Sequence, residues 1–378
     1  VTARSVRIWS VVHRWSSLVA TLFLLLLCLT GLPLIFHHEI DEALGYAPRA
    51  EGKAESATSP RRATTDAIAA AALADHPGKV LQYIAWEQDQ PGIVTAYVNH
   101  SVGGKPDDAI LAAYGASSGR ALGLVGVGPM LFVLKLHTDM FAGQPGKLFL
   151  GAMGTLFLVA IVSGIVLYWP FTRRLDFGTV RYGGSRRVIW LDWHNWLAIL
   201  TVVWALVVGA TGVVNTWAEL LLDRWRATEL NEMITPYAGR PTPAHLASID
   251  LVLANAARAA PRTEPAFIAF PGTPFTSSYH FAVFLRGDTP LTSRILQPIL
   301  LDGETGEVAE TRQLPLYLKL LFLSQPLHFG DYAGLPLKII WALLDVVTIA
   351  VIGSGFYLWI ARRLRRRGRG HHAVSVPA

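Results

Sequence analysis

Four histidines occupy corresponding places in the two halves of this 378-residue sequence. His13 opens the stretch HRWSSLVATLFLLLLCLTG and His194 opens HNWLAILTVVWALVVGATG. The two align without a gap and share His, Trp, a central Leu and the closing Thr-Gly. His137 falls in LHTDMFAGQPGK and His328 in LHFGDYAGLPLK, which match at Leu, His, Ala, Gly, Pro and Lys. A neutral imidazole binds a metal through one ring nitrogen while the other nitrogen fixes its tautomer. A single histidine near a bilayer interface is ordinarily an amphipathic side chain reaching toward water. Four of them placed twice over call for a different account.

The elements that carry them are membrane spans. The chain is 52% apolar and 16% charged, whereas a soluble chain carries about 25% charged residues. About 20 mostly apolar residues cross a bilayer, and four segments qualify: 18–36, 148–169, 196–217 and 337–360. The first is read as a retained span, because no small-x-small cleavage site follows its long apolar run. Arginines cluster in three short flanks: Arg4, Arg7 and Arg14, then Arg173, Arg174, Arg181, Arg186 and Arg187, then Arg362, Arg363, Arg365, Arg366, Arg367 and Arg369. Basic loops stay cytoplasmic, so both termini are expected inside and the two long connections outside. The net charge of +6 therefore reads as topology, with no nucleic-acid partner. The single Cys28 excludes an intrachain disulfide.

The expected organisation follows. Residues 1–36 form the cytoplasmic N-terminus and span 1, 37–147 a first external module, and 148–170 span 2. Residues 171–195 form a cytoplasmic loop, 196–217 span 3, 218–336 a second external module, 337–360 span 4 and 361–378 a cytoplasmic tail. Both halves start inside, so the repeat is parallel, with its two-fold axis along the membrane normal. Each module offers a helix, near 64–75 and 243–259, followed by three strand-like stretches. The Ala-, Ser- and Pro-rich segment 47–63 reads as a loop or linker. The fold class is thus an α-helical integral membrane protein with two external α+β modules.

A two-fold axis sets His13 opposite His194 at the inner level and His137 opposite His328 at the outer one. Two imidazoles facing each other across a helical bundle suit the axial positions of a haem iron. From His13 to Gly31 is eighteen residues, five turns at 3.6 per turn, so Gly31 shares the face of His13 at the opposite depth; Gly212 relates to His194 likewise. Gly31 and Gly212 are expected to flank the outer haem, and Gly164 and Gly355, each after a serine, the inner one. The plain alternative is small-residue helix packing. His37 and His38, in FHHEID, have no counterpart in the second half; they are alternative outer ligands, or contacts to substrate or a propionate. Asp345 lies within span 4, where its counterpart is Gly154; it serves as a proton relay or stays neutral and hydrogen-bonded. His76, His100, His245 and His280 read as surface residues. GLVGVG at 123–128 lacks the strand–helix setting of a nucleotide loop.

The stretches HRWSSLVATLFLLLLCLTGLPLIFHHEID, LHTDMFAGQPGK, HNW…ATG and LHFG resemble the PepSY-associated transmembrane family over nearly the whole chain. Within it the sequence is similar to iron-regulated inner-membrane proteins regarded as ferrisiderophore reductases. The four histidines fall on the family's histidine positions, and HNW replaces the basic residue of HRW. The resemblance implies PepSY-like external modules, an iron-uptake setting in a bacterial inner membrane and haem-dependent electron transfer to a ferric siderophore, releasing Fe(II). No C-x-x-C-H sequence is present, so two b-type haems are expected. The inside segments are too short for a flavin or nicotinamide domain, so the donor is a quinol, a soluble flavin or reductase, or another protein. The rival expectations are a non-enzymatic PepSY membrane protein that binds an external partner, and a siderophore transporter component.

Overall fold

A computed structural model describes residues 2–49, 63–88, 90–105, 108–126, 128–172, 176, 178–289 and 292–372. Arg173, Arg174 and most of the expected linker 47–63 lie outside the described residues. The chain divides into two compact units.

The first unit, Val1–His37, Met130–Trp217 and Ser324–Ala378, is built on four long helices. They are α1 (Ala3–Leu34), α5 (Gly143–Thr172), α6 (Arg186–Asn215) and α11 (Gly334–His372). Each is long and apolar enough to cross a membrane. Around the bundle α1 packs on α5, α5 on α6, α6 on α11 and α11 back on α1, which closes a ring of four. The helices outrun the apolar runs read from sequence. α1 starts at Ala3 with Thr2 as its cap, the hydroxyl accepting from Ser5 N at 3.2 Å, and α6 starts at Arg186. A 30-residue helix is about 45 Å long, against a hydrocarbon core of about 30 Å. His13 and His194 therefore sit inside continuous helix rather than at its first turn.

The second unit, His38–Pro129 and Ala218–Leu323, differs from two separate modules. Strands β1 (Val80–Trp86), β2 (Ile93–Asn99), β3 (Ile110–Gly115) and β4 (Ala121–Leu124) join β5 (Thr263–Ala269), β6 (His280–Gly287), β7 (Leu296–Asp302) and β8 (Val308–Thr311). They form one eight-stranded sheet in the order β4-β3-β2-β1-β5-β6-β7-β8, with every pair antiparallel. The central pair sets Tyr83 against Ala269, Ile84 against Ile268 and Ala85 against Phe267. Unpaired, β1 and β5 would each leave an open edge of backbone donors and acceptors; pairing them removes both edges.

Helices α3 (Thr65–Asp75) and α9 (Ile249–Ala259) share a core with one sheet face through Ile68, Ala72, Ile84, Val252, Ala256, Ile268, Phe281 and Val283. On the other face, Tyr83, Ala282, Phe284 and Leu300 pack with Trp225 of α7 (Ala218–Trp225), Met233 of α8 (Asn231–Ile234) and Leu318 and Leu321 of α10 (Leu316–Phe329). β6 thus alternates Phe281 and Val283 with Ala282 and Phe284 between two cores. This makes it a near-continuous apolar run. α3 and α9 meet at their N-termini and cap each other. Asp66 accepts from Ile249 N at 2.7 Å and from the Ser248 hydroxyl, and Asp250 accepts from Thr65 N at 2.9 Å and Asp66 N at 3.2 Å. The remaining short helices are α2 (His37–Ala43) and α4 (Pro129–Thr138).

Candidate functional site

Each of the four repeated histidines is held by a neighbouring helix in the same way. At the inner level, His13 of α1 lies against α5, with Nδ1 2.9 Å from the Ala160 carbonyl and 3.3 Å from Ser163 Oγ. His194 of α6 lies against α11, with Nδ1 3.1 Å from the Val351 carbonyl and 2.9 Å from Ser354 Oγ. At the outer level, His137 of α4 lies against α1, with Nδ1 2.9 Å from Thr30 Oγ1 and a hydrogen bond to the Leu27 backbone. His328 of α10 lies against α6, with Nδ1 3.0 Å from the Val208 carbonyl and 3.4 Å from Thr211 Oγ1.

The hydroxyls already donate elsewhere. Ser163 donates to Val159 O at 2.7 Å, Ser354 to Val351 O at 2.8 Å, Thr30 to Leu26 O at 2.7 Å and Thr211 to Val207 O at 2.7 Å. Toward the imidazole each hydroxyl oxygen can only accept, as the carbonyl does. The network therefore assigns the proton to Nδ1 in all four rings. Nε2 keeps its lone pair, the state in which a neutral histidine binds metal, and an acceptor on the opposite nitrogen is the usual support of such a ligand.

The glycines complete the sockets. A Cβ on Gly31 would lie 3.3 Å from His137 Cε1, on Gly164 3.3 Å from His13 Cε1, and on Gly355 3.3 Å from His194 Cε1. On Gly212 it would lie only 2.9 Å from His328 Cε1. The immediate neighbour of each glycine is the edge of an imidazole. The bare backbone lets the ring reach its carbonyl.

At the outer level the rings of His137 and His328 have centroids 6.2 Å apart and planes inclined by 58°. At the inner level His13 is a charge neighbour of His194. Among the described residues no group of three or more His, Cys, Asp or Glu gathers. A metal held by either pair must bring its other ligands, as the iron of a haem does. The donor set fits that group.

Other candidates take different places. His37 lies in the first turn of α2 with Nδ1 2.8 Å from Leu34 O, a local contact on the preceding turn, and His38 follows it. Asp345 is buried on α11 beside Cys28 of α1. His280 is fully buried rather than on the surface. Its Nδ1 meets Ser277 Oγ at 2.7 Å and its ring stands edge-on to Tyr237; burial lowers its pKa below the ordinary value. The Thr-Gly and Ser-Gly pairs stand out in the sequence, but only the glycine of each was given a role. The signal was present: the residue before each socket glycine is Thr30, Ser163, Thr211 or Ser354. Asp192 was likewise given no role; its carboxylate takes a two-pronged ion pair from Arg181 at 3.0 and 2.7 Å, two residues before His194.

The model of the PepSY-associated TM region matches residues 10–362. An uncharacterized protein of Pseudomonas aeruginosa is 27% identical over 255 residues, which are 61% of this chain and 63% of that relative's length. The chain therefore spans under two thirds of the relative it matches.

Proposed function

The chain belongs to the PepSY-associated TM family, and from that premise we propose that it conducts electrons across a bacterial inner membrane through two b-type haems. One haem is held between His13 and His194 and the other between His137 and His328. The observation that carries this reading is the fourfold socket, in which a carbonyl and a hydroxyl hold Nδ1 and a glycine admits the ring. Bound haem supplies one-electron redox chemistry. The chain fixes the two sites at two depths, keeps each imidazole neutral and oriented, and surrounds them with apolar helix.

The arginine distribution supports an orientation with both termini in the cytoplasm and the sheet unit in the periplasm. Electrons then enter at the His13–His194 level from a quinol, a flavin or a reductase, and leave at the His137–His328 level. We take the acceptor to be a ferric siderophore, from which iron is released as Fe(II). The internal repeat is part of the same reading. Corresponding residues build corresponding sockets, and the strand order of the sheet runs symmetrically outward from the β1–β5 pair.

Ferric reduction in oriented membrane vesicles tests the proposal. With a reductant supplied on the cytoplasmic side, the intact chain should produce Fe(II) outside. His13→Ala and His137→Ala should each abolish that flux, and an unchanged rate in either variant would reject the route.

A further inference from the structure

We infer that Asp345 is the proton-accepting group coupled to the outer centre. Its carboxylate takes up a proton when an electron arrives between His137 and His328, and releases it when the electron leaves. The inference rests on the two-haem reading above and adds a role for a residue outside the sockets.

Asp345 is 5% exposed within a helix long and apolar enough to span the bilayer. Its Oδ2 is buried without a hydrogen-bond partner, and its side-chain neighbour is the thiol of Cys28 on α1. A carboxyl in such a place is costly and is ordinarily retained for a function. Packing does not require it, as the other half of the bundle demonstrates. There Gly154 stands where Asp345 does and Gly209 where Cys28 does. That interface is closed by apolar chains: a Cβ on Gly154 would lie 3.0 Å from Val213 Cγ2, and one on Gly209 would lie 3.1 Å from Leu158 and Phe157. One interface of the bundle is closed by apolar chains; the other holds a buried carboxyl oxygen without a hydrogen-bond partner.

Its depth selects the outer centre. Cys28 is three residues, about 4.5 Å along the axis, from Gly31, which receives the His137 ring. Val351 and Ser354, which hold His194, are six and nine residues beyond Asp345, about 9 and 13.5 Å. The long helices packed on α11 are α1 and α6, and α10 meets it where Trp341 Nε1 donates to the Leu327 carbonyl at 3.3 Å, beside His328. α1 offers Cys28 at this depth, while α6 carries its titratable residues Arg186, Arg187, Asp192 and His194 near its inner end. On α11 itself, Lys338 lies toward the outer end, 4.0 Å from Asp331. Cys28 is therefore the titratable side chain beside Asp345, and His137 and His328 mark the nearer of the two histidine levels.

Charge balance supplies the mechanism. An electron reaching haem iron held there would remove one positive charge from a low-dielectric interior. One proton from water, bonding to Oδ2, restores the balance; reoxidation by the external ferric complex reverses both.

Potentiometric titration of the haem-loaded full chain between pH 5 and 9 tests this, with dithionite as reductant and His13→Ala used to assign the outer haem. The outer midpoint should fall toward about 59 mV per pH unit, the value for one proton per electron. Asp345→Asn should keep both haems and flatten that slope, and Asp345→Glu should restore it. The inner haem should respond alike in all three. The reduced-minus-oxidised infrared spectrum of wild-type protein labelled at aspartate should gain a protonated-carboxyl band, whatever the folding of the variants. A pH-independent outer midpoint in wild type, an undiminished slope in Asp345→Asn, or no labelled carboxyl band would overturn the proposal while leaving the two-haem reading intact. A wild-type chain without haem would overturn both.

Discussion

A hydroxyl, a carbonyl and a missing side chain define each histidine socket, and their unequal geometry makes the four distinguishable. Thr30→Val removes one acceptor from His137 Nδ1 and leaves the Leu27 backbone contact. Loss of one such supporting partner costs roughly 10–100-fold in metal affinity. Haem titration of Thr30→Val should therefore show weakened outer binding with an unaffected inner site; equal affinity at both sites would deny the hydroxyl its role. Steric demand gives a second contrast. A Cβ on Gly212 meets His328 Cε1 at 2.9 Å, against 3.3 Å between Gly31 and His137. Gly212→Ala should release more outer haem than Gly31→Ala, and leucine at either place should act like loss of the histidine. The reverse order would show that these glycines serve helix packing alone. The sequence singled out the histidines and glycines because its two halves align at each of them. The hydroxyls were given no role because serine and threonine are common in apolar helices, where they bond their own backbone. Only the facing ring reveals their second task.

Helix and strand types were readable, while their limits and partners were less so. The apolar runs located all four long helices but not their ends, because a helix continues into charged sequence wherever its own backbone bonds persist. Three strands of each expected module were present in the alternation and the apolar runs, whereas the short outer strands β4 and β8 were not read from the sequence. Their union through β1 and β5 was not, because antiparallel pairing across about 180 residues of chain leaves no local pattern. The mutual capping of α3 and α9 was equally hidden, since Asp66 and Asp250 read as ordinary first-turn acids. Burial opposes ionisation of Asp66, but hydrogen bonds from Ser248, Ile249 and Asp250 outweigh it and hold its pKa below the usual value. The stability it contributes is therefore present above the ordinary carboxylate pKa of about 4, and is lost as pH falls through the lower folded value. Asp66→Ala should cost the sheet unit about 1–2 kcal/mol near neutral pH, as lost helix caps do. Thermal unfolding of the full chain at pH 7 and pH 3 should show the difference shrinking in acid. An equal or larger deficit at pH 3 would contradict the capping account.

For the whole molecule, orientation and electron route stand or fall together. On the proposed orientation, Arg181 between α5 and α6, Arg186 and Arg187 in the first turn of α6, and Arg362 and Arg363 in the last part of α11 would face the cytoplasm. A reporter that works only outside the cytoplasm should be active when inserted beside Thr289, in the connection between β6 and β7. Activity of a cytoplasm-only reporter there would invert the route. The Asp345–Cys28 contact breaks the correspondence between the halves, and sequence located the acid without supplying its neighbour. The central claim is that two histidine pairs at two depths each hold one haem. Pyridine haemochrome analysis of purified protein, fully loaded with haem, tests it most directly when the intact chain is compared with His13→Ala and His137→Ala. The account predicts two b-type haems per intact chain and one in each variant, with the inner haem missing from His13→Ala and the outer from His137→Ala. One haem or none in the intact chain, or two in either variant, would contradict it.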